Sequence, residues 1–305
     1  MPAVVVGTRG SKLALAQTDI VVDALRAANP DLDIRVRIVR TEGDRDTRTS
    51  LTELGGRGVF VKELEEALLM GEIDLAVHSL KDLPTELPLG LVIAAVPERA
   101  DARDALISRD GAPLAALPPG ARVGTGSARR AAQALALRPD LRTLDIRGNV
   151  DTRLRRLDEG AYDAIVVAMA GLSRLGLAHR ASEVFNPAVM TPAVGQGALA
   201  VEARGSDDLA LEALRPLDHE PTRVCVEAER AFLRRLGAGC RFPAGAHATL
   251  DQGSVRVIGA LAERPGAPVV RGELRGAPAD AERLGAALAE ELAARAGLPL
   301  AEVGA

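Results

Sequence analysis

Ile73-Asp74-Leu75-Ala76-Val77-His78-Ser79-Leu80-Lys81-Asp82-Leu83-Pro84 reads as an apolar strand that runs out into an adjacent Lys and Asp and stops at a proline. Pro84 has no N–H to donate and biases Leu83 toward an extended backbone, so the charged pair sits on a stiff turn at a strand end. Strand ends are where α/β sheets gather their chemistry. An isolated Lys-Asp pair is ordinarily a solvated turn; the segments on either side of this one argue for more.

Upstream, Val4–Val6 reads as a strand, Gly7–Gly10 as a turn, and an amphipathic helix is expected from near Ser11 to Asn29-Pro30. Ile34–Val39 and Val92–Ala95 are further strands, and Phe60–Met70 is a helix with Leu64, Ala67 and Leu68 on one face. Apolar runs alternating with helix-period segments predict βα units around largely parallel sheets. After Pro97 the pattern restarts: strands at Ala105–Ile107, Arg122–Val123, Thr143–Ile146 and Ala164–Ala168, helices over about 128–137 and 150–158. Ala198–Glu202 is expected to return to the first sheet, so that two segments cross between domains in a hinge arrangement with a cleft. From Glu220 the pattern changes to a helix through about Leu236, three short strands and a long Ala-rich helix from Pro278, which suggests a small α+β domain. The expected domains are 1-97 with 198-216, 98-197 and 217-305.

The 305 residues suffice for two or three domains. Aromatics make up only 2% of the chain, so the core is aliphatic and stacking platforms for single-stranded nucleic acid are missing. A formal net charge of -4 leaves no global basic surface for a phosphate backbone, and any anion site must be local. Two cysteines give no disulfide framework and no zinc-type spacing, so no metal is expected. No apolar run approaches the ~20 residues of a membrane span, and Met1–Gly7 lacks the features of a secretory signal. A cytoplasmic protein that binds neither membrane nor nucleic acid is expected.

Three loops share one design. Thr8-Arg9-Gly10-Ser11, Gly124-Thr125-Gly126-Ser127-Ala128-Arg129-Arg130 and Arg147-Gly148-Asn149-Val150-Asp151-Thr152-Arg153 each offer a helix N-terminus, a small residue, a capping side chain and a guanidinium. Such a loop traps anions, and Arg grips carboxylates or phosphates through paired hydrogen bonds. Each alone reads as ordinary capping; three in an acidic protein point to a ligand with several negative charges. That ligand is not a nucleotide by motif, because Gly124-Thr125-Gly126 lacks the third glycine of a dinucleotide fingerprint and no phosphate-loop Gly-Lys-Ser/Thr occurs. Gly55-Gly56-Arg57-Gly58, ahead of Phe60, reads as a mobile loop. Cys240 lies in a Gly- and Pro-bounded turn near Arg234, Arg235 and Arg241, which favour thiolate, whereas Cys225 reads as a buried small hydrophobe. With the four histidines scattered, the functional role left for an accessible thiolate is covalent attachment.

Thr8–Ser11, Gly58-Val59-Phe60-Val61-Lys62-Glu63-Leu64-Glu65, His78–Pro84, Arg129-Arg130, Arg147–Arg153, Pro192-Ala193-Val194-Gly195-Gln196-Gly197 and Gly239-Cys240 together resemble the porphobilinogen deaminase (hydroxymethylbilane synthase) family, in its order and over essentially the whole chain. The resemblance implies two α/β lobes of the type II periplasmic-binding-protein kind plus a smaller C-terminal α+β domain. It implies a dipyrromethane cofactor on Cys240 through a thioether, four porphobilinogens added stepwise with loss of ammonia, and hydrolytic release of hydroxymethylbilane by a monomeric enzyme. Asp82 would be the catalytic carboxylate. Lys81, Ser127, Arg129 and Arg130 would hold the cofactor, and Arg9, Ser11, Gln17, Arg147, Arg153 and Gln196 the substrate, with Arg57 and Phe60 on the mobile loop. Arg57 stands where the family commonly has Lys. Two other classes compete: a two-lobed carrier of a small carboxylate, which needs neither Lys81-Asp82 nor Cys240, and a ligand-sensing transcription factor, for which no basic helix-turn-helix precedes the first strand.

Overall fold

The computed structural model describes residues 3–39, 61–237 and 242–300. In chain order the strands are β1 (Ala3–Thr8), β2 (Asp33–Ile38), β3 (Leu75–Ser79), β4 (Leu91–Ala95), β5 (Asp104–Ser108), β6 (Arg122–Gly124), β7 (Arg142–Leu144), β8 (Ala164–Ala168), β9 (Glu183–Val184), β10 (Leu199–Arg204), β11 (Ala244–Asp251), β12 (Ser254–Leu261) and β13 (Val270–Gly276). The helices are α1 (Lys12–Ala28), α2 (Lys62–Leu69), α3 (Ala128–Leu137), α4 (Val150–Asp158), α5 (Met169–Arg174), α6 (Asp208–Leu214), α7 (Glu220–Leu236) and α8 (Ala281–Ala296).

Two compact units form, Met1–Ala100 with Ala198–Arg223 and Asp101–Gly197 with Val224–Ala305. The first is built on a five-stranded sheet ordered β2-β1-β3-β10-β4, with β1 parallel to β2 and β3, and β10 antiparallel to β3 and β4. The second contains a five-stranded sheet ordered β7-β6-β8-β5-β9, where β6 runs parallel to β7 and β8, and β5 antiparallel to β8 and β9. The same unit carries the antiparallel sheet β11-β12-β13. The sheets are thus mixed rather than largely parallel. In each five-stranded sheet the strand that runs against its neighbours is the first one made after the chain changes units, β5 after residue 100 and β10 after residue 197.

Side-chain alternation explains why each large sheet is covered on both faces. Val4, Val6, Leu75, Val77, Leu199 and Val201 pack with Val21, Val22 and Leu25 of α1, while Ile73 and Ala76 pack with Leu64, Ala67 and Leu68 of α2. In the second sheet Leu106 and Val166 face one core, and Ala105, Ile107, Ile165 and Val167 the other. Phe232 of α7 and Leu288 and Leu292 of α8 fill the core under Val255, Val257 and Leu261. Elements below strand or helix length in the sequence pattern, β9 and the short helices α5 and α6, were not anticipated; two to seven residues carry too little periodicity to stand out. Among the described residues no helix is long and apolar enough to cross a membrane.

Candidate active site

In the first unit β3 ends at Ser79 and passes directly into a single 3-10 turn, Leu80–Asp82, closed by Leu83 N–H donating to Leu80 O at 3.2 Å. Leu80 and Leu83 are 1% and 2% exposed, so two apolar anchors clamp the turn from both sides while Lys81 and Asp82 between them stay half-buried. Leu83 has φ −71° and ψ 136°, the extended backbone that Pro84 demands. Gln17, from the second turn of α1, donates through Nε2 to Ser79 Oγ at 2.8 Å and so sits at the same strand end. Ser11 N-caps α1, accepting from Ala14 N–H at 3.2 Å, beside half-buried Arg9.

Behind that turn lies a group that sequence reasoning missed. His78 Nε2 and Glu202 Oε2 are 3.1 Å apart on adjacent strands, both buried, without a hydrogen bond between them. Burial, then the Glu202 carboxylate, push the Glu65 carboxyl up to about 7. A lone carboxylate inside the apolar strand Leu199–Ala203 was the available signal.

The second unit gathers two of the three guanidinium loops. Ser127 N-caps α3 and Asn149 N-caps α4, accepting from Arg130 N–H at 3.4 Å and Thr152 N–H at 3.0 Å. Gly148 adopts φ +97°, where its missing side chain lets Thr152 approach. Arg129 and Arg130 are buried and converge on Asp104, at the head of β5. Arg129 Nη1 donates to Asp104 Oδ2 and to Thr191 O, both at 2.6 Å; Arg130 Nε donates to Asp104 Oδ1 at 2.9 Å and Nη1 to Val166 O at 3.1 Å. Gln196 Nε2 donates to Asp104 Oδ1 at 2.9 Å and to Ala102 O at 2.8 Å, while Gln196 Oε1 accepts from Arg130 Nη2 at 3.3 Å. Burial opposes ionisation of Asp104, but the two guanidiniums and these hydrogen bonds outweigh it and hold the carboxyl well below the usual range.

Arg147 and Arg153 lie on the flank of this cluster. Arg147 Nε donates to Asp145 Oδ2 at 3.0 Å and Arg153 Nε to Gly148 O at 2.8 Å, which leaves both Nη nitrogens of each without an acceptor among the described residues. Burial, and next the charge on Arg130, bring the Arg153 guanidinium down to about 10, with Arg147 adding to the repulsion. Arg174 was not singled out from the sequence. It is a desolvated cation brought to about 10 by burial, and its Nη2 donates to Gly197 O at 2.7 Å. Like charges this close to one another would be relieved by an anionic ligand.

Residues 4–212 match the family profile "Porphobilinogen deaminase, dipyromethane cofactor binding domain", and residues 223–294 match "Porphobilinogen deaminase, C-terminal domain". The chain belongs to the porphobilinogen deaminase family. The porphobilinogen deaminase of Roseiflexus sp. (strain RS-1) is 53% identical over 97% of this chain and 97% of its own length. That of Thermus thermophilus is 51% identical over 97% of each chain, and that of Deinococcus radiodurans 49% identical over 99% of each. Among solved structures, the methionine-binding protein MetQ overlays on 70% of this chain and 89% of its own with 15% identity and a TM-score of 0.46.

A porphobilinogen deaminase of this family carries a dipyrromethane cofactor, whose pyrroles bear acetate and propionate groups. Guanidinium donors decide whether the second unit suits such a group. Arg129 uses only Nη1, so its Nε–H and both Nη2–H groups have no acceptor among the described residues, and neither do the Nη groups of Arg147 and Arg153. Unengaged forked donors fit carboxylates. Cys240, Arg57 and Phe60 lie outside the described residues.

Proposed function

We infer that this chain condenses four porphobilinogen molecules head-to-tail, with loss of ammonia from each, and releases hydroxymethylbilane by hydrolysis, the hydroxymethylbilane synthase reaction of tetrapyrrole and haem biosynthesis. Beyond family membership, the single observation that carries the reading is the group of guanidinium donors on Arg129, Arg147 and Arg153 that no protein acceptor uses among the described residues. Each porphobilinogen brings two carboxylates, so a growing chain needs several such donors.

The cofactor supplies the primer onto which the chain is extended. Cys240 holds it through a thioether, and Lys81, Ser127, Arg129 and Arg130 bind its carboxylates. Arg9, Ser11, Gln17, Arg147, Arg153 and Gln196 bind the incoming porphobilinogen and the lengthening product. Asp82 is the catalytic group: its carboxylate stabilises the cation that develops as ammonia leaves and handles the proton of the reacting pyrrole. The half-buried position of Asp82 between two apolar anchors supports this role, because a carboxylate partly removed from water stabilises a cation more strongly than one in bulk solvent. The partition into domains 1-97 with 198-216, 98-197 and 217-305 is supported by three sheets, each with its own apolar core. The enzyme works as a monomer in the cytoplasm, a placement that fits a chain with two cysteines and no disulfide framework.

The decisive experiment is the intact mass of the denatured protein beside Cys240→Ser, with hydroxymethylbilane formation from porphobilinogen measured on both. A two-pyrrole excess confined to the wild type is expected, with turnover lost in the variant. A wild type that never turns porphobilinogen over would overturn the activity, and an active Cys240→Ser would overturn the attachment point.

A further inference from the structure

Asp104 belongs to none of the loops that the sequence marks as anion traps, yet it organises one of them. It lies at the head of β5, fully buried at 0% exposure, and its two oxygens accept from Arg129 Nη1 at 2.6 Å, Arg130 Nε at 2.9 Å and Gln196 Nε2 at 2.9 Å. Consecutive residues on a helix project about 100° apart, so Arg129 and Arg130 have no intrinsic reason to point to one place. A carboxylate shared between them supplies that reason. It also sets the charge: two guanidiniums and one carboxylate leave a single net positive charge in a buried setting. Without it, two buried cations would face each other.

We propose that Asp104 is a positioning residue for the ligand-carboxylate site, fixing Arg129 and Arg130 in one geometry and leaving the Nε–H and Nη2–H groups of Arg129 as the donors that meet an acetate or propionate. The inference rests on the reading that this arginine pair holds the polycarboxylate. Gln196 acts in the same way. Its side-chain amide spans Asp104, Arg130 and the Ala102 carbonyl, so it orients Arg130. The loop that carries Gln196 is itself held from α7, since Gly195 N–H donates to buried Glu229 Oε2 at 2.7 Å, and Glu229 Oε1 accepts from Ala248 N–H of β11 at 2.7 Å. The arginine pair is therefore tied through a continuous run of hydrogen bonds and one loop to the helix that ends at Leu236, four residues before Cys240.

The test compares Asp104→Asn, Asp104→Glu and Arg129→Leu with the wild type in the full chain, following thermal melting, cofactor loading by intact mass, and KM against kcat for porphobilinogen. Asp104→Asn is expected to remain folded, to load less than a tenth of the wild-type cofactor and, in the loaded fraction, to raise KM at least tenfold with a smaller change in kcat. A purely structural role lowers the melting temperature and leaves loading and KM unchanged, and that result overturns the proposal. If Asp104→Asn does not fold, Asp104→Glu decides: it keeps the charge but moves it outward by one methylene, so reduced loading and a raised KM support positioning, and wild-type values overturn it. Arg129→Leu separates the two levels. Wild-type loading and KM in that variant sink the arginine reading itself, whereas an impaired Arg129→Leu beside a normal Asp104 variant sinks only the role of Asp104.

Discussion

Asp82 can be removed without loosening the turn that carries it, because Leu80 and Leu83 supply the anchoring and the backbone closure from Leu83 to Leu80 uses no side chain. Asp82→Ala is therefore expected to melt within a few degrees of the wild type and to retain its two-pyrrole mass. Its turnover should fall by roughly 100-fold or more, the scale on which a positioned acid-base group acts; near-normal turnover removes Asp82 from the mechanism. Glu65 makes a different prediction. Folded, it keeps its proton up to about pH 7, whereas the unfolded chain releases it near 4.5. The native state thus binds more protons between these values, and stability falls as pH rises through that window. Glu65→Gln abolishes this loss, so its melting temperature should gain on the wild type steadily from pH 4.5 to above 7. Parallel melting curves across that range would show that Glu65 titrates normally. Residues differ sharply in how legible they were. Lys81 and Asp82 stood out because a proline fixed their setting, and Ser11 and Ser127 because caps are local. Asp104 did not, since its partners lie 25 and 26 residues away and nothing in Arg103-Asp104-Ala105 announces them.

At the scale of elements, helix and strand positions followed the pattern closely: the helix expected over 150–158 is α4, and Ala164–Ala168 is β8. Side-chain period determines these, and both segments are long enough to show it. The sense of the strands was less accessible, because parallel and antiparallel partners bury the same apolar faces. The α7–α8 crossing supplies a sharp test. A Cβ built at Gly285 would overlap the Ala228 carbonyl oxygen and lie 3.0 Å from Phe232 N, both backbone atoms that cannot rotate away. Gly→Ala within a helix ordinarily gains about 0.5–1 kcal/mol. Overpacking costs about 1–3 kcal/mol and more where backbone must move, so the clash wins. Gly285→Ala should destabilise the C-terminal sheet and its two helices, read as a lower denaturation midpoint; an unchanged or raised midpoint would mean that α8 shifts freely along α7.

For the molecule as a whole, the reading of a polyanion-binding enzyme survived its acidic composition because charge is local. A net charge of -4 coexists with Arg130, Arg147 and Arg153 set closely enough that the first two lower the third's affinity for its proton. What composition and spacing could not convey is that part of this positive charge is consumed internally by Asp104. A monomer is expected in solution, and sedimentation at assay concentrations should return the mass of one chain, 31.8 kDa; a concentration-dependent rise toward twice that mass would refute it.

The first sheet also has a schedule. Strand β4 pairs with nothing but β10 among the described residues, and β10 lies between β3 and β4 although it is made only after the whole second five-stranded sheet. A ribosome making about 5–20 residues per second leaves one edge of β3 open and β4 without a partner for on the order of 5–20 s, during which the nascent N-terminal segment exposes both. Any truncation before residue 199 makes that interval permanent, so fragments ending in the second sheet should be recovered as aggregates or with chaperones rather than as free folded domains.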